Sequence, residues 1–141
     1  MEEKQLIQKA LEARDKAYAP YSGYAVGAAL LTETGKVYTG CNIENASYPV
    51  TVCAERTALF KAVSEGERTF SMLAVVGGRS GESPLSGFAV PCGVCRQALY
   101  EFCPELIILI ARSEEDFRSY RMQDLLPEAF GPGNLDGEKI V

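Results

Sequence analysis

Two short motifs contain the residue types and spacing of a metal-dependent catalytic site. Cys53 and Glu55 are separated by one residue, and Cys92 and Cys95 form a Cys-x-x-Cys motif that follows Pro91. Three cysteine thiolates can bind one zinc ion and leave its fourth position open, which is typical of catalytic rather than structural zinc sites. Zinc lowers the pKa of a bound water towards about 7, and Glu55 can accept the proton that this water loses. The motifs therefore predict a hydrolytic zinc site.

The absence of histidine narrows the chemistry further. The chain contains no histidine and five cysteines, so it has no Ser-His-Asp triad and no Cys-His pair of its own. An odd number of cysteines without a secretory segment argues against a disulfide framework and for metal binding or catalysis. We expect Cys41 and Cys103, which lie outside the two motifs, to be small core residues.

A Cys-x-x-Cys motif alone is also typical of structural zinc sites and redox pairs. In this chain it follows a Cys-x-Glu motif, and no fourth cysteine lies at ligand spacing. Because a structural zinc site is normally closed by a fourth protein ligand, the pattern favours catalysis. A non-catalytic scaffold stabilised by zinc stays open as an alternative.

Two arginines lie next to the residues predicted to do chemistry. Arg56 follows Glu55 directly, and Arg96 follows Cys95. Three thiolates on one zinc ion give the site a net charge of about −1, which weakens the ion as a Lewis acid. We expect both arginines to donate hydrogen bonds to the sulfurs and so to withdraw charge from them.

The hydrophobic pattern predicts an α/β protein with three layers, α/β/α. Apolar residues at helical spacing predict helices over residues 3–18, 55–64 and 94–102, and the cysteines of both motifs fall at or near two helix starts. Strands are predicted over residues 24–31, 37–41, 72–76 and 106–110, with a further short strand at 88–90. A short helix or turn is expected at 125–130 and a loose tail from 131 onwards. This order implies a mixed sheet covered by helices, within a single domain over residues 1–141.

Composition and charge favour a small substrate. The 141 residues are 47% hydrophobic and 23% charged, with a formal net charge of −5. Proteins that bind a nucleic-acid backbone normally carry a basic patch, whereas the basic residues here are scattered and outnumbered, so we expect no nucleic-acid partner. The sequence starts without the basic and apolar regions of a signal peptide, and its longest apolar run, 106–111, is too short to span a membrane. We therefore expect a cytoplasmic protein without a membrane partner.

Six segments of the chain together resemble one family. They are APYS (19–22), VGAAL (26–30), GCNIENA (40–46), CAERTA (53–58), PCGxCRQ (91–97) and LLPxxF (125–130). On these segments the chain resembles the small homotetrameric cytidine deaminases, within the cytidine/deoxycytidylate deaminase superfamily, over nearly its full length. The resemblance implies a cytidine deaminase-like fold with a mixed five-stranded sheet, one Zn²⁺ per chain, and a homotetramer with shared active sites.

The resemblance also implies a reaction and a catalytic group. The reaction is the hydrolysis of cytidine and 2′-deoxycytidine to uridine and 2′-deoxyuridine with release of ammonia, in pyrimidine salvage. Cys53, Cys92 and Cys95 match the zinc ligands, and Glu55 matches the proton shuttle. A zinc-activated hydroxide would attack C4 of the base, while Glu55 moves a proton to ring N3 and then to the departing amine.

Further positions match residues that bind the nucleoside. Asn42 and Glu44 match the residues that bind the ribose hydroxyls, and the backbone of Ala54 matches a group that reads the pyrimidine edge together with Glu55. Position 24 is commonly Phe in the family and is Tyr24 here, which keeps a ring for stacking on the base. Tyr48 and Phe130 match aromatic positions that reach the active site of a neighbouring subunit.

Two other catalytic interpretations stay open beside the scaffold. The first is a related deaminase that acts on another small aminated base, including a nucleoside antibiotic. The second is a deaminase that edits nucleic acid, which the low basic content of the chain disfavours.

Overall fold

A computed structural model describes residues 1–136 of the chain. The helices are α1 (Glu3–Arg14), α2 (Ala54–Ser64), α3 (Gly93–Phe102), α4 (Met122–Leu125) and α5 (Pro132–Asp136). The strands are β1 (Tyr24–Thr32), β2 (Val37–Cys41), β3 (Phe70–Arg79), β4 (Ile107–Ala111) and β5 (Phe117–Arg121), and one 3-10 turn covers Tyr48–Val50. Helix α5 lies in the predicted loose tail, and the rest of that tail, 137–141, lies outside the described residues.

The strands form one five-stranded sheet in the order β2-β1-β3-β4-β5. Strands β3 and β4 run parallel, and the other three neighbouring pairs are antiparallel. Helix α3 lies in the connection between the two parallel strands, as expected for a parallel pair, which needs a crossover. The predicted mixed sheet of five strands is therefore confirmed.

One of the predicted strands is wrong. Residues 88–90 form no strand, and the fifth strand is β5, which pairs antiparallel with β4. Strand β5 has the sequence FRSYR and lies at the edge of the sheet, so three of its five residues are polar or charged. An edge strand with so little apolar surface lacks the alternation by which strands are predicted.

Helices cover both faces of the sheet, which confirms the three-layer architecture. Helix α1 packs on one face, where its Leu6 and Ile7 contact a core that includes Ala74 and Val76 of β3. Helices α2 and α3 pack on the other face, where Leu73 and Val75 belong to a separate core. The strand β3 thus buries successive side chains on opposite faces, as its nearly continuous apolar sequence predicts.

Two glycines allow helices to lie directly on the sheet. A Cβ atom at Gly27 of β1 would lie 2.1 Å from the carbonyl oxygen of Ala10 in α1. A Cβ atom at Gly40 of β2 would lie 2.5 Å from the carbonyl oxygen of Ala54, the first residue of α2. These contacts involve backbone atoms, which cannot rotate away, so Gly40 fixes the distance between the sheet and the start of α2.

Helix α1 ends at Arg14, four residues before the predicted end. The chain leaves the helix because Tyr18 pairs with the segment after β2, where its N–H donates to the Asn42 carbonyl at 3.0 Å. The buried Arg14 guanidinium donates to the carbonyl oxygens of Ala25, Arg79 and Glu82. Arg14 therefore ties α1 to the loop that follows β3. Among residues 1–136, no helix combines the length and the apolar character needed to cross a membrane.

Candidate metal centre and adjoining cleft

The starts of α2 and α3 bring the three predicted zinc ligands together. Cys53 precedes the first residue of α2, Cys92 precedes the first residue of α3, and Cys95 lies in the first turn of α3. Their sulfur atoms all lie within 4.8 Å of one another, and the Cys53 and Cys92 sulfurs are 3.8 Å apart. Sequence motifs 39 residues apart thus converge on one point.

The donor set fits a zinc ion. Cysteine sulfurs bind Zn²⁺ at about 2.3 Å, and a tetrahedral ion therefore needs sulfur atoms about 3.8 Å apart. The pKa of the Cys53 thiol is lowered to about 5, first by a hydrogen bond from Cys95 and then by one from Arg56. The pKa of Cys95 is raised because this buried thiol holds its proton in the hydrogen bond to Cys53. A thiolate is thus available at neutral pH, as metal binding requires.

Glu55 lies beside the sulfurs and is 4% exposed. Burial raises its pKa to about 7, and the nearby negative charge of Cys53 contributes in the same direction. A carboxyl group with a pKa near the working pH can both accept and return a proton, which is the property of an efficient general acid and base. The environment of Glu55 therefore suits the proton shuttle that its motif predicts.

Arg56 extends towards the sulfurs. Its Nη2 donates to the Cys53 sulfur at 3.5 Å. Its Nε atom is buried and has no hydrogen-bond partner among the described residues. The side chain thus places its charge beside the thiolates, as the hypothesis of charge withdrawal requires.

Arg96 does not follow that hypothesis. Its Nε donates to the carbonyl oxygen of Pro91, and its Nη1 donates to that of Leu125, both at 2.8 Å. The prediction that Arg96 donates to a sulfur is corrected by these contacts. Leu125 is the last residue of α4, where carbonyl groups lack partners within the helix, and this explains why the guanidinium extends there. Arg96 instead holds the residue before Cys92 against the segment that ends α4.

A cleft of about 370 Å³ opens beside the metal centre. Its lining includes the predicted site residues Tyr24, Asn42, Glu44, Cys53, Ala54, Glu55 and Cys92. The structure therefore brings the predicted proton shuttle, two of the predicted ligands and the predicted nucleoside contacts into one cavity. The third predicted ligand, Cys95, is buried. A larger cleft of about 560 Å³ lies between α1 and the loop after β3 but contains none of these residues.

Asn42 is held by the backbone of β1. Its Nδ2 donates to the carbonyl oxygen of Tyr24 at 2.8 Å, and its Oδ1 accepts from the N–H of Val26 at 2.9 Å. A side-chain amide has two N–H donors and two acceptor lone pairs, so one donor and one lone pair stay available. The side chain is therefore both fixed in orientation and able to bind a hydroxyl group.

Glu44 is held by the turn before β1. Its carboxylate accepts from the N–H groups of Tyr21 and Ser22 and from the Ser22 hydroxyl. The hydrogen bond from the Ser22 side chain is the first cause of a lowered pKa for Glu44. Glu44 is therefore an ionised hydrogen-bond acceptor, and it lines the cleft together with Ser22.

Tyr48 and Phe130 do not line this cleft in a single chain. Tyr48 is 70% exposed and lies 5.9 Å from the ring of Tyr21, in a neighbouring cavity that also contains Glu44. Phe130 is 57% exposed, and its carbonyl oxygen accepts from Gln97 in α3. Both rings thus lie on the surface, where contact with another chain is open to them.

Several lining residues were missed by the sequence analysis. The cleft also contains Ser22, Val26, Thr51, Val75, Phe88, Ala89 and Val90. Residues 88–90 lie directly before the PCGxC motif, and this position is the sequence signal that they border the site. The Phe88 ring is flanked by the guanidinium groups of Arg112 and Arg118, at 4.8 and 4.2 Å from its centroid.

Three clustered sulfurs and a buried carboxylate at two helix starts, over a mixed sheet, fit the class of zinc-dependent hydrolases. Residues 1–111 match the family described as the cytidine and deoxycytidylate deaminase zinc-binding region, and the chain belongs to this family. The resemblance to the cytidine/deoxycytidylate deaminase superfamily is thereby confirmed. Zinc as the cofactor is confirmed as well, because the family is a zinc-binding one and the three cysteines cluster.

Named relatives and solved structures agree with the family. The chain is 47% identical over 136 residues to a cytidine deaminase of Sporosarcina psychrophila, with 96% of each chain covered. A crystal structure of a cytidine deaminase from Burkholderia pseudomallei is 48% identical, has a TM-score of 0.83, and is matched over 92% of this chain and 100% of that chain. The corresponding structure from Mycobacterium tuberculosis is 41% identical with a TM-score of 0.78, over 93% of this chain and 98% of that chain.

Proposed function

We propose that the protein is a cytidine deaminase that hydrolyses cytidine and 2′-deoxycytidine to uridine and 2′-deoxyuridine with release of ammonia. The observation that carries the proposal is the buried Glu55, which lies beside three clustered cysteines in a cleft that also contains Asn42 and Glu44. Family membership and the names of the relatives support the same activity.

In this proposal Cys53, Cys92 and Cys95 hold one zinc ion in each chain. When bound, the ion would lower the pKa of a water molecule so that hydroxide, the nucleophile, is available at neutral pH. Arg56 donates to the Cys53 sulfur and so reduces the negative charge of the thiolates. Arg96 holds the peptide before Cys92 in place through Pro91.

Glu55 moves the proton. Its pKa of about 7 lets the carboxylate take a proton from the attacking water and then give it to ring N3 of the base. Glu55 then takes the remaining proton from the C4 hydroxyl of the intermediate and gives it to the amino nitrogen. The C4–N bond breaks, ammonia leaves, and the C4 oxygen becomes the carbonyl of the uracil ring. Burial of Glu55 keeps bulk water from competing for this proton.

Side chains of the cleft bind and orient the nucleoside. Asn42 and Glu44 present one free amide donor and carboxylate lone pairs for the sugar hydroxyls. The ring of Tyr24 stacks on the base, and the Ala54 backbone reads the pyrimidine edge. Both Tyr24 and Ala54 line the same cleft as Glu55, which supports these roles.

We further propose that four chains assemble and share active sites through Tyr48 and Phe130. The exposure of both rings supports this proposal, since Tyr and Phe are enriched in protein interfaces relative to the rest of the surface. We also propose a single catalytic domain that works in the cytoplasm in pyrimidine salvage. All five cysteines are free in the structure, which agrees with a reducing compartment.

The test is ammonia release from cytidine and 2′-deoxycytidine, with zinc quantified in the same sample. We expect ammonia and the uracil nucleoside in equal amounts, with about one zinc per chain as the three-ligand site implies. Zinc without any activity on either nucleoside would contradict the proposal. An assay with other aminated nucleosides and with a single-stranded oligonucleotide would then separate the remaining deaminase interpretations.

A further inference from the structure

Two adjacent glycines, Gly77 and Gly78, end the buried part of β3 next to the cleft. Neither has a positive φ, so the backbone conformation does not require glycine at either position. Glycine inside a strand weakens it and often marks a place where other atoms approach closely. The reason for both glycines must therefore be the space that a side chain would fill.

Gly77 lies on the face of β3 that borders the cleft. It pairs with Val26 of β1, and both Val26 and Val75, two residues earlier on the same face, line the cleft. A Cβ atom at Gly77 would lie 2.7 Å from the Cβ atom of Ala89 and 3.2 Å from Cε2 of Tyr24. Ala89 cannot yield by rotating a side chain, because its Cβ is attached directly to the backbone.

Gly78 lies on the opposite face. A Cβ atom there would lie 2.5 Å from Oε1 of Glu82 and 2.8 Å from Cδ2 of Leu85. Both atoms are the far ends of side chains, and neither residue lines the cleft beside the metal centre. Gly78 therefore provides a matched control, with the same added methyl group one residue further along the strand.

We propose that Gly77 is a positioning residue that sets the shape of the cleft floor by letting Ala89 and the Tyr24 ring lie against β3. A methyl group at this position would displace Ala89 and the ring towards the space that the base occupies. The inference rests on the proposed function, because it takes the cleft to be the nucleoside site. The three atoms nearest to an added Cβ at Gly77 belong to Ala89, Tyr24 and Val26, so the effect of a methyl group should fall on binding rather than on proton transfer.

The test compares Gly77→Ala with Gly78→Ala by steady-state kinetics, with zinc content and thermal unfolding measured on both. For Gly77→Ala we expect KM for cytidine to rise about tenfold or more while kcat falls less than about threefold, the pattern of lost binding common to ground and transition states. For Gly78→Ala we expect KM to stay within about twofold of the unaltered protein. A KM for Gly77→Ala within twofold, or an equal rise in both variants, would overturn the inference.

A second variant separates the contact with Ala89 from general destabilisation. In Gly77→Ala/Ala89→Gly the methyl group moves from one side of the contact to the other. The KM of this double variant should therefore be close to the KM of Ala89→Gly alone, without most of the rise that Gly77→Ala causes in the unaltered protein. A double variant that keeps the whole rise would count against the contact. If Gly77→Ala does not fold, recovery of folding in the double variant supports the contact, and failure of both overturns it. Absence of cytidine deamination by the unaltered protein would instead overturn the proposed function, and this inference with it.

Discussion

Glu55 is a carboxyl group that the fold places almost completely out of water. Burying a carboxyl group without a compensating charge is unfavourable, and the raised pKa of Glu55, about 7, records that burial. Such a group gives the folded protein no advantage in stability at neutral pH. Its position beside three sulfurs and inside a cleft is therefore best explained by proton transfer.

The first prediction concerns this carboxyl group. Glu55→Gln keeps the size and the buried position of the side chain but cannot exchange a proton. We expect kcat to fall by about three orders of magnitude or more, in the range that general acid–base catalysis supplies, while zinc content and thermal unfolding stay unchanged. Glu65→Gln, at the exposed end of α2, is the matched control and should keep full activity. Near-normal turnover of Glu55→Gln would refute the role of Glu55.

The two arginines beside the metal centre should behave differently. Arg56 contacts a sulfur, whereas Arg96 contacts two backbone carbonyls. We expect Arg56→Gln to lower kcat by about tenfold or more with zinc content nearly unchanged, since it alters the charge of the thiolates. Arg96→Gln should lower zinc content and thermal stability together, because it releases the peptide before Cys92. Metal analysis with kinetics per bound zinc distinguishes the two, and loss of zinc alone in Arg56→Gln would contradict the charge argument.

At the scale of elements, the start of α2 depends on one glycine. Cys53, Ala54 and Glu55 all lie at that start, and Gly40 of β2 faces it across a gap with no room for a methyl group. Atoms added to a packed interior lower the free energy of unfolding by about 1–3 kcal/mol. The carbonyl oxygen of Ala54 belongs to the backbone, so no side-chain rotation can remove the clash with a methyl group at Gly40. The sheet therefore sets the distance of α2 from β2, and with it the positions of Cys53 and Glu55.

The prediction is that Gly40→Ala destabilises the protein by about 2–3 kcal/mol and lowers activity per folded chain. Unfolding in urea measures the first effect, and kinetics corrected for bound zinc measure the second. Gly87→Ala is the control, because a Cβ atom at Gly87 has nothing within 4 Å and the backbone there is not left-handed. Equal stability of the two variants would show that α2 can move away from β2 without loss.

Some features of the fold and the site were predictable from the sequence, and others were not. The cluster of three cysteines was predictable because motif spacing encodes it. Strands β1, β3 and β4 were predictable from their apolar runs, and β2 was predictable because a turn signal at 34–36 separates it from β1. Strand β5 was not, since its apolar residues are too few at an exposed edge. The contacts of Arg96 were unpredictable for another reason: they depend on where the end of α4 lies in space. The hydrogen bonds that orient Asn42 and Glu44 depend in the same way on the packing of distant segments.

At the scale of the whole molecule, a single chain leaves large apolar side chains on its surface. Tyr21, Tyr48, Val90, Val94 and Phe130 are all between 49% and 70% exposed, and Tyr21 and Val90 border the site cavities. Tyr and Phe are enriched in protein interfaces relative to the rest of the surface. An assembly in which neighbouring chains cover this surface would complete the cleft and exclude water from it, which strengthens the electrostatic interactions inside.

If neighbouring chains share active sites, two inactive variants should restore activity to each other, whereas they should not if each chain builds its own site. Phe130→Ala chains keep Glu55 but lose the ring proposed to reach a neighbour, and Glu55→Gln chains keep the ring but lose the proton shuttle. Separately, each should have low activity. Mixed by unfolding and refolding together with zinc, they should form sites that combine Glu55 of one chain with Phe130 of another, and activity should rise well above the sum of the two. Light scattering on the same samples reports whether they assemble. If the mixed chains assemble but their activity only equals the summed activities of the separate variants, each chain builds its site alone. In that case a neighbouring chain supplies no group that the site lacks.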